Sequence, residues 1–314
     1  MDAAGDFFKL YPKSSLAKRA QDVGLAAFEK STAQAVAEEN YPRIIKTWEE
    51  HPYLAEHLDR LTPDSRMAVA LSYWKRDAPE QALAMAKPFL QGDKQGRLSE
   101  MAVEMALNIY LDRDGWSEIV DLGNNISKWE LPEKLRFEVD YAQALALVNL
   151  GEMDKSRNLW AKLAAEYKSD PVKRAYALYY MARFAGEEGQ LQKQYVFAQE
   201  GLALFLASGE DNQKVKDLLV MLMDATEYSG RLTDTLQWAM EYNSLIKKSA
   251  PDWPAFQYRL AGIYKKIGDD VTWRKVLENL IKEKPASLAA RSAQSDLESQ
   301  RLEDQARQFS SATP

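Results

Sequence analysis

Apolar residues in this chain fall on helical spacing in paired runs, and short polar stretches between the runs mark turns. The last pair shows the pattern clearly. Tyr258, Leu260, Ala261 and Tyr264 share one stripe, Lys266-Ile267-Gly268-Asp269 interrupts it, and Trp273, Val276, Leu277, Leu280 and Ile281 resume at offsets of three and four before Pro285. Such offsets place side chains on one face of an α-helix, and Gly-Asp followed later by Pro supplies the stop and the restart. Seven such turns recur: Glu38-Glu39-Asn40-Tyr41, Arg76-Asp77-Ala78-Pro79, Arg113-Asp114-Gly115-Trp116, Leu150-Gly151-Glu152-Met153, Glu188-Gly189-Gln190-Leu191, Ser229-Gly230-Arg231-Leu232 and Ile267-Gly268-Asp269-Asp270. Their last residues are separated by 38, 37, 37, 38, 41 and 38 positions. That period, with helical pattern on both sides of every turn, predicts an all-α solenoid of helix pairs.

The flanks differ from the repeats. Phe7-Phe8-Lys9-Leu10-Tyr11-Pro12 reads as the end of a second helix with its closing proline. Either it is a lone capping helix, or residues 1–13 are the end of an incomplete upstream repeat in a longer protein. The second fits better, because a terminal unit needs a polar outer face. Residues 286–309 read as a capping helix, with Ala290, Ala293 and Leu297 on one face and charged residues around the rest. Residues 310–314 read as a disordered tail.

Composition narrows the function. The chain holds 41 basic and 47 acidic residues, interspersed, for a net charge of −6. Its densest basic runs, Lys247-Lys248 and Lys265-Lys266, are two residues long, which argues against nucleic acid as a partner. Cysteine is absent, which removes disulfides, thiolate metal sites and thiol nucleophiles, and suits either an oxidising compartment where a stray thiol is a liability or chance in a cysteine-poor bacterial proteome. No apolar run approaches the roughly 18 to 20 residues needed to span a bilayer, and Met1-Asp2-Ala3-Ala4-Gly5 lacks the basic and apolar stretches of a signal peptide.

Catalytic and metal signals are weak. His51 and His57 stand six residues apart, about 120° off the shared helix face that a metal pair needs, so they read as solvated or capping histidines. There is no Gly-x-Ser-x-Gly elbow and no phosphate-binding glycine loop. Adjacent acids such as Glu187-Glu188 lie in a turn and not across a cleft. Asp112-Arg113-Asp114-Gly115 echoes part of a calcium loop, but Tyr110 and Asp121 occupy its first and twelfth positions, and an inter-helix turn explains the same residues. The expectation is a protein with no enzymatic activity, cofactor or metal.

The repeats resemble the tetratricopeptide (TPR) repeat. Leu260-Ala261, Tyr264 and Pro285 fit its signature slots, Ala82 fills the small-residue slot, and Trp48 and Trp160 the aromatic one. Trp273 departs from the small slot, which predicts looser helix packing there. The resemblance covers residues 14–285, with a period near 38 against the family's 34, which predicts longer helices or looser turns. The N-terminal phrase is similar to repeats of bacterial cell-envelope proteins. What the resemblance implies is a right-handed superhelix of about seven TPR-like helix pairs. It would act as a non-catalytic scaffold or adaptor in the bacterial envelope, with a periplasmic location (a cytoplasmic one being the alternative) and a protein or peptide partner in its concave groove. A structural block that self-associates or docks end to end is the alternative.

In that family the first helix of each pair lines the groove at offsets 2, 5, 6, 9 and 12, counting the turn glycine as 15. Counting back from Gly189 gives Tyr176, Tyr179, Tyr180 and Arg183, residue types that interface hot spots favour. Neighbouring repeats add Tyr141 and Leu145 on one side and Met221, Asp224 and Glu227 on the other, and the last repeat adds Tyr258, Arg259 and Lys265. The competing reading is that the aromatic residues pack between helices. The Lys/Asn/Lys/Arg set with which chaperone-binding members hold a terminal carboxylate is not matched. Leu218-Leu219-Val220-Met221-Leu222-Met223 is apolar all round, which predicts core, with a self-association surface as the alternative.

Overall fold

The structure is a computed structural model that describes residues 6, 7, 10, 11, 13–91, 96–209 and 212–311. Among these residues it is all helix and turn, without a strand. The chain divides into two compact units, residues 1–156 and 157–314. The first holds α1 (Ala17–Ala37), α2 (Tyr41–Glu50), α3 (Tyr53–Glu56), α4 (Pro63–Lys75), α5 (Pro79–Leu90), α6 (Arg97–Asp112), α7 (Trp116–Asn125) and α8 (Glu133–Asn149). Helix α9 (Met153–Glu166) carries the division. The second holds α10 (Pro171–Glu187), α11 (Leu191–Ser208), α12 (Asn212–Tyr228), α13 (Leu232–Leu245), α14 (Trp253–Lys266), α15 (Asp270–Glu283) and α16 (Leu288–Ser311). In the first unit α1, α4, α6 and α8 pack successively as first helices of their hairpins, and in the second α10 packs on α12.

One device closes every hairpin. Glu39, Asp77, Asp114, Gly151, Gly189, Gly230 and Gly268, the second residue of each turn, all have positive φ, between 52° and 85°. In each turn two amides reach back to the preceding helix, as in Asn40 N to the Ala35 carbonyl at 2.7 Å and Glu39 N to that of Val36 at 3.0 Å. Gln190 N to Ala185 at 2.8 Å with Gly189 N to Gly186 at 3.0 Å repeats the pattern. This is the Schellman motif, which satisfies carbonyls that a helix end leaves open. The turns are therefore tight. In the second unit the long period lies in long helices, such as the 18 residues of α11 and the 17 of α10 and α12, whereas in the first, where α2 and α7 have 10 residues each, it lies in the connections between hairpins.

An L-residue in this left-handed conformation is strained by its Cβ, whereas glycine is not. Glu39→Gly is therefore expected to stabilise the first unit by about 0.5–1 kcal/mol after the added chain entropy is counted. Gly189→Ala should destabilise the second by about 1–2 kcal/mol. Denaturant unfolding checks both, and equal midpoints would remove the turn strain from the account.

Some features differ from the sequence expectation. After α2, which stops ahead of Pro52 as proline requires, the chain makes α3 and a 3₁₀ turn at Leu58–Arg60 instead of one plain loop. Trp273 is 2% exposed in the α14–α15 hairpin, so its indole is enclosed in the core rather than loosening it. The closing helix continues through Ser311, into the segment expected to be a tail, and residues 312–314 lie outside the described residues. Of the N-terminal phrase, Phe8, Lys9 and Pro12 lie outside them too, as do residues 1–5. Leu218, Leu219, Leu222 and Met223 are buried in the second unit's core.

Candidate functional site

The turns supply a common register, since each holds its positive-φ residue at the same place. Counting that residue as 15 puts Tyr176, Tyr179, Tyr180 and Arg183 of α10 at groove offsets. Asp217, Met221, Asp224 and Glu227 of α12 follow, then Tyr258, Arg259 and Lys265 of α14. The second unit brings many of these together, but by bonding them to its own chain. Tyr179, expected to face outward, is instead 8% exposed, and its hydroxyl donates to Asp217 Oδ2 at 3.0 Å. Burial, then the Asp217 charge and hydrogen bond, push the Tyr179 phenol up to about 12. Tyr180 stacks on Trp160 at 4.2 Å. Tyr176 meets the edge of Phe205 at 5.1 Å, with Lys214 Nζ 4.9 Å from its ring centre. Arg183 is the exposed member, with Glu187 3.7 Å away.

A second cluster joins α12 to α14. Arg259 Nη2 donates to Asp224 Oδ1 at 2.7 Å and to Glu227 Oε2 at 2.8 Å, while Lys266 Nζ donates to Glu227 Oε1 at 2.6 Å. Burial works to raise the Glu227 carboxyl, but the hydrogen bonds and charges of Lys266 and Arg259 outweigh it and hold the group below its usual range. Tyr258 donates to Asp296 Oδ2 at 2.8 Å, and that hydrogen bond, then burial, raises its phenol. Lys265 Nζ sits 4.3 Å from the Trp273 ring centre. Tyr141 belongs to the first unit, where its ring lies 5.7 Å from that of Phe137.

The partners Asp217 and Asp296 escaped the sequence reading. Each stands 38 residues after its tyrosine, so the repeat period itself was the signal that could have found them.

The same register gives a different result in the first unit. Glu29, Ala33 and Val36 of α1, Asp64, Met67, Ala68 and Leu71 of α4, and Met101 of α6 line an open cleft of about 460 Å³ together with Arg97 and Leu98. Its floor is apolar and thioether-bearing. Its walls carry two carboxylates and one guanidinium: Glu29 Oε1 accepts from Thr62 N at 2.7 Å, and Asp64 Oδ1 from Arg97 Nη2 at 2.6 Å. The sequence reading missed this face because its turns lack glycine at the counting position and its apolar residues look like core.

Among the described residues no group of three His, Cys, Asp or Glu side chains could hold a metal ion. His51 and His57 occupy the C-cap positions of α2 and α3, and Asp114 is the positive-φ residue of its inter-helix turn. No described helix is long and apolar enough to cross a membrane.

No protein-family model matches the chain, and no curated protein matches it significantly. Solved structures do. BtubC from P. vanneervenii is 12% identical with a TM-score of 0.48, covering 72% of this chain and 92% of its own. PilW, described as a widely conserved type IV pilus biogenesis factor, is 16% identical with a TM-score of 0.43, covering 73% and 97%. The nearly identical TPR-like repeats of a kinesin light chain from Podosopora anserina are 14% identical with a TM-score of 0.43, covering 70% and 93%.

Proposed function

We propose that the protein is a non-catalytic scaffold that holds a segment of a partner protein against the first helices of its hairpins, with the first-unit cleft as the principal site. The observation that carries this is the contrast at one register. In the second unit those positions are largely bonded to one another, whereas in the first, although Glu29 and Asp64 bond to Thr62 and Arg97, Val36, Leu71 and Met101 stay partly exposed along an open cleft between α1, α4 and α6. Its volume lies within the 300–1,000 Å³ typical of ligand sites. Tyr176, Tyr180 and Arg183 are proposed as a second, weaker contact, since each keeps part of its surface open. A location in the bacterial envelope belongs to the same proposal and rests on the resemblance of the Phe7–Pro12 phrase; fractionation of the native protein into cytosol with envelope depleted would refute it.

The test is crosslinked capture from native fractions, comparing wild type with Leu71→Asp/Met101→Asp and, separately, Tyr176→Ala/Arg183→Ala, all checked for unchanged helicity. We expect a specific partner to be lost on the first pair and retained in part on the second. The same partners on all three proteins would reject the inner-face assignment.

Self-association through the N-terminal end is the second reading. It is favoured by Leu10, Tyr11, Leu16 and Val23, which are 70%, 59%, 56% and 61% exposed. Sedimentation would then show concentration-dependent oligomers that Leu16→Ser/Val23→Ser abolishes.

A further inference from the structure

We infer that the first-unit cleft takes a short, cationic amphipathic segment, whose aliphatic side chains fill the floor and whose Lys or Arg side chains meet Glu29 and Asp64. This deepens the scaffold reading and rests on it. Three observations point the same way. Val36, Leu71, Leu98 and Met101 form an apolar floor that is only partly covered by the protein, and flexible thioethers adapt to aliphatic side chains of varied shape.

The charge is one-sided. Two carboxylates face one guanidinium in the lining, and residues 1–156 carry 26 acidic against 19 basic side chains, while residues 157–314 carry 21 and 22. A field of that sign draws in and orients cationic segments and disfavours acidic ones.

The third observation is a hydroxyl. Thr32 lies in the cleft lining at 3% exposure, and its Oγ1 has no hydrogen-bond partner in the protein. A buried hydroxyl without a partner is costly, and a bound segment can supply one from its backbone or a polar side chain. The neighbouring Thr62 and Ser65 hydroxyls already bond to each other at 3.0 Å, so Thr32 is the group of this lining that a ligand would satisfy.

The experiment is selection of a random library of short peptides on the full chain, followed by fluorescence anisotropy of the recovered peptides on variants. We expect recovered sequences rich in Leu, Ile and Val with an excess of Lys and Arg, and binding that falls roughly ten-fold or more on Leu71→Asp. Glu29→Gln keeps the oxygen that accepts from Thr62 N but loses the charge; it should weaken binding several-fold and flatten its salt dependence.

Thr32→Val should weaken binding about five-fold, the worth of one net hydrogen bond, while raising the melting temperature of the free chain. That opposed pair of effects is not the signature of a damaged fold. Recovered peptides that are acidic or show no charge bias, yet depend on Leu71, would overturn the cationic assignment and leave the scaffold reading standing. No enrichment over the Leu71→Asp variant, with Thr32→Val equally inactive, would overturn both.

Discussion

Replacing Trp160 with alanine is expected to destabilise the second unit by about 3–5 kcal/mol, the range for deleting a large buried aromatic side chain. Trp160 is fully buried, at 0% exposure, and stacks on Tyr180 at 4.2 Å with the ring planes 13° apart. Tyr180 in turn meets Tyr179 edge-on at 5.0 Å, so the indole backs the aromatic row of α10. The loss combines the transfer free energy of the indole, the cavity left behind, and the stacking. Trp160→Phe keeps a ring in place and should cost less than half as much. Guanidinium unfolding followed by far-ultraviolet circular dichroism reads both, since helicity does not depend on the missing fluorophore. A loss below about 1 kcal/mol for the alanine variant would mean that the site repacks, and that the row on α10 is not braced from behind.

That tryptophan was legible in the sequence, whereas its neighbours' roles were not, and the reason is physical. A large aromatic residue on the apolar stripe of a second helix has few destinations other than the core, and Trp48, in the corresponding slot, lies 5.8 Å from Phe28 with 7% exposure. Turns were legible for a related reason. Only a few residue types tolerate the left-handed conformation, so Gly or an acidic residue before a new apolar run marks the helix end even where Glu39, Asp77 and Asp114 replace glycine. Tyrosine is different. It carries both a packing surface and a polar tip, so Tyr179 satisfies groove and core patterns alike until its partner is known. Asp217 alone reads as part of a solvated helix face.

The first-unit cleft lay hidden for the opposite reason. Val36, Leu71 and Met101 obey the helical period, as core residues do, and whether an apolar stripe is covered depends on the spacing of helices, which periodicity does not encode. The short helix α3 was equally invisible, since four residues carry too little pattern to distinguish a helix from a loop.

Alkaline unfolding provides the second large effect, and its sign follows from two tyrosines. Tyr179 and Tyr242 are 8% and 7% exposed and donate to Asp217 and Asp252, each at 3.0 Å. Burial first, and then the adjacent carboxylate, push both phenols from 10.0 up to about 12. The fold therefore favours the neutral phenol. Its contribution is fully present below pH 10, where both states are protonated, and is lost as pH rises through about 12, where the folded state must also ionise. A shift of two units corresponds to about 2.7 kcal/mol for each group, so the pair should remove on the order of 5 kcal/mol across that window. The diagnostic quantity is the difference between wild type and Tyr179→Phe/Tyr242→Phe, from which contributions shared by the two proteins cancel. At neutral pH the double variant should be less stable by about 1–3 kcal/mol for each lost hydrogen bond to a carboxylate. Above pH 10 its stability should fall less steeply, so that the two curves converge. Curves that stay parallel from pH 8 to 12 would show that these phenols ionise freely and that the Tyr179–Asp217 bond does not tie α10 to α12.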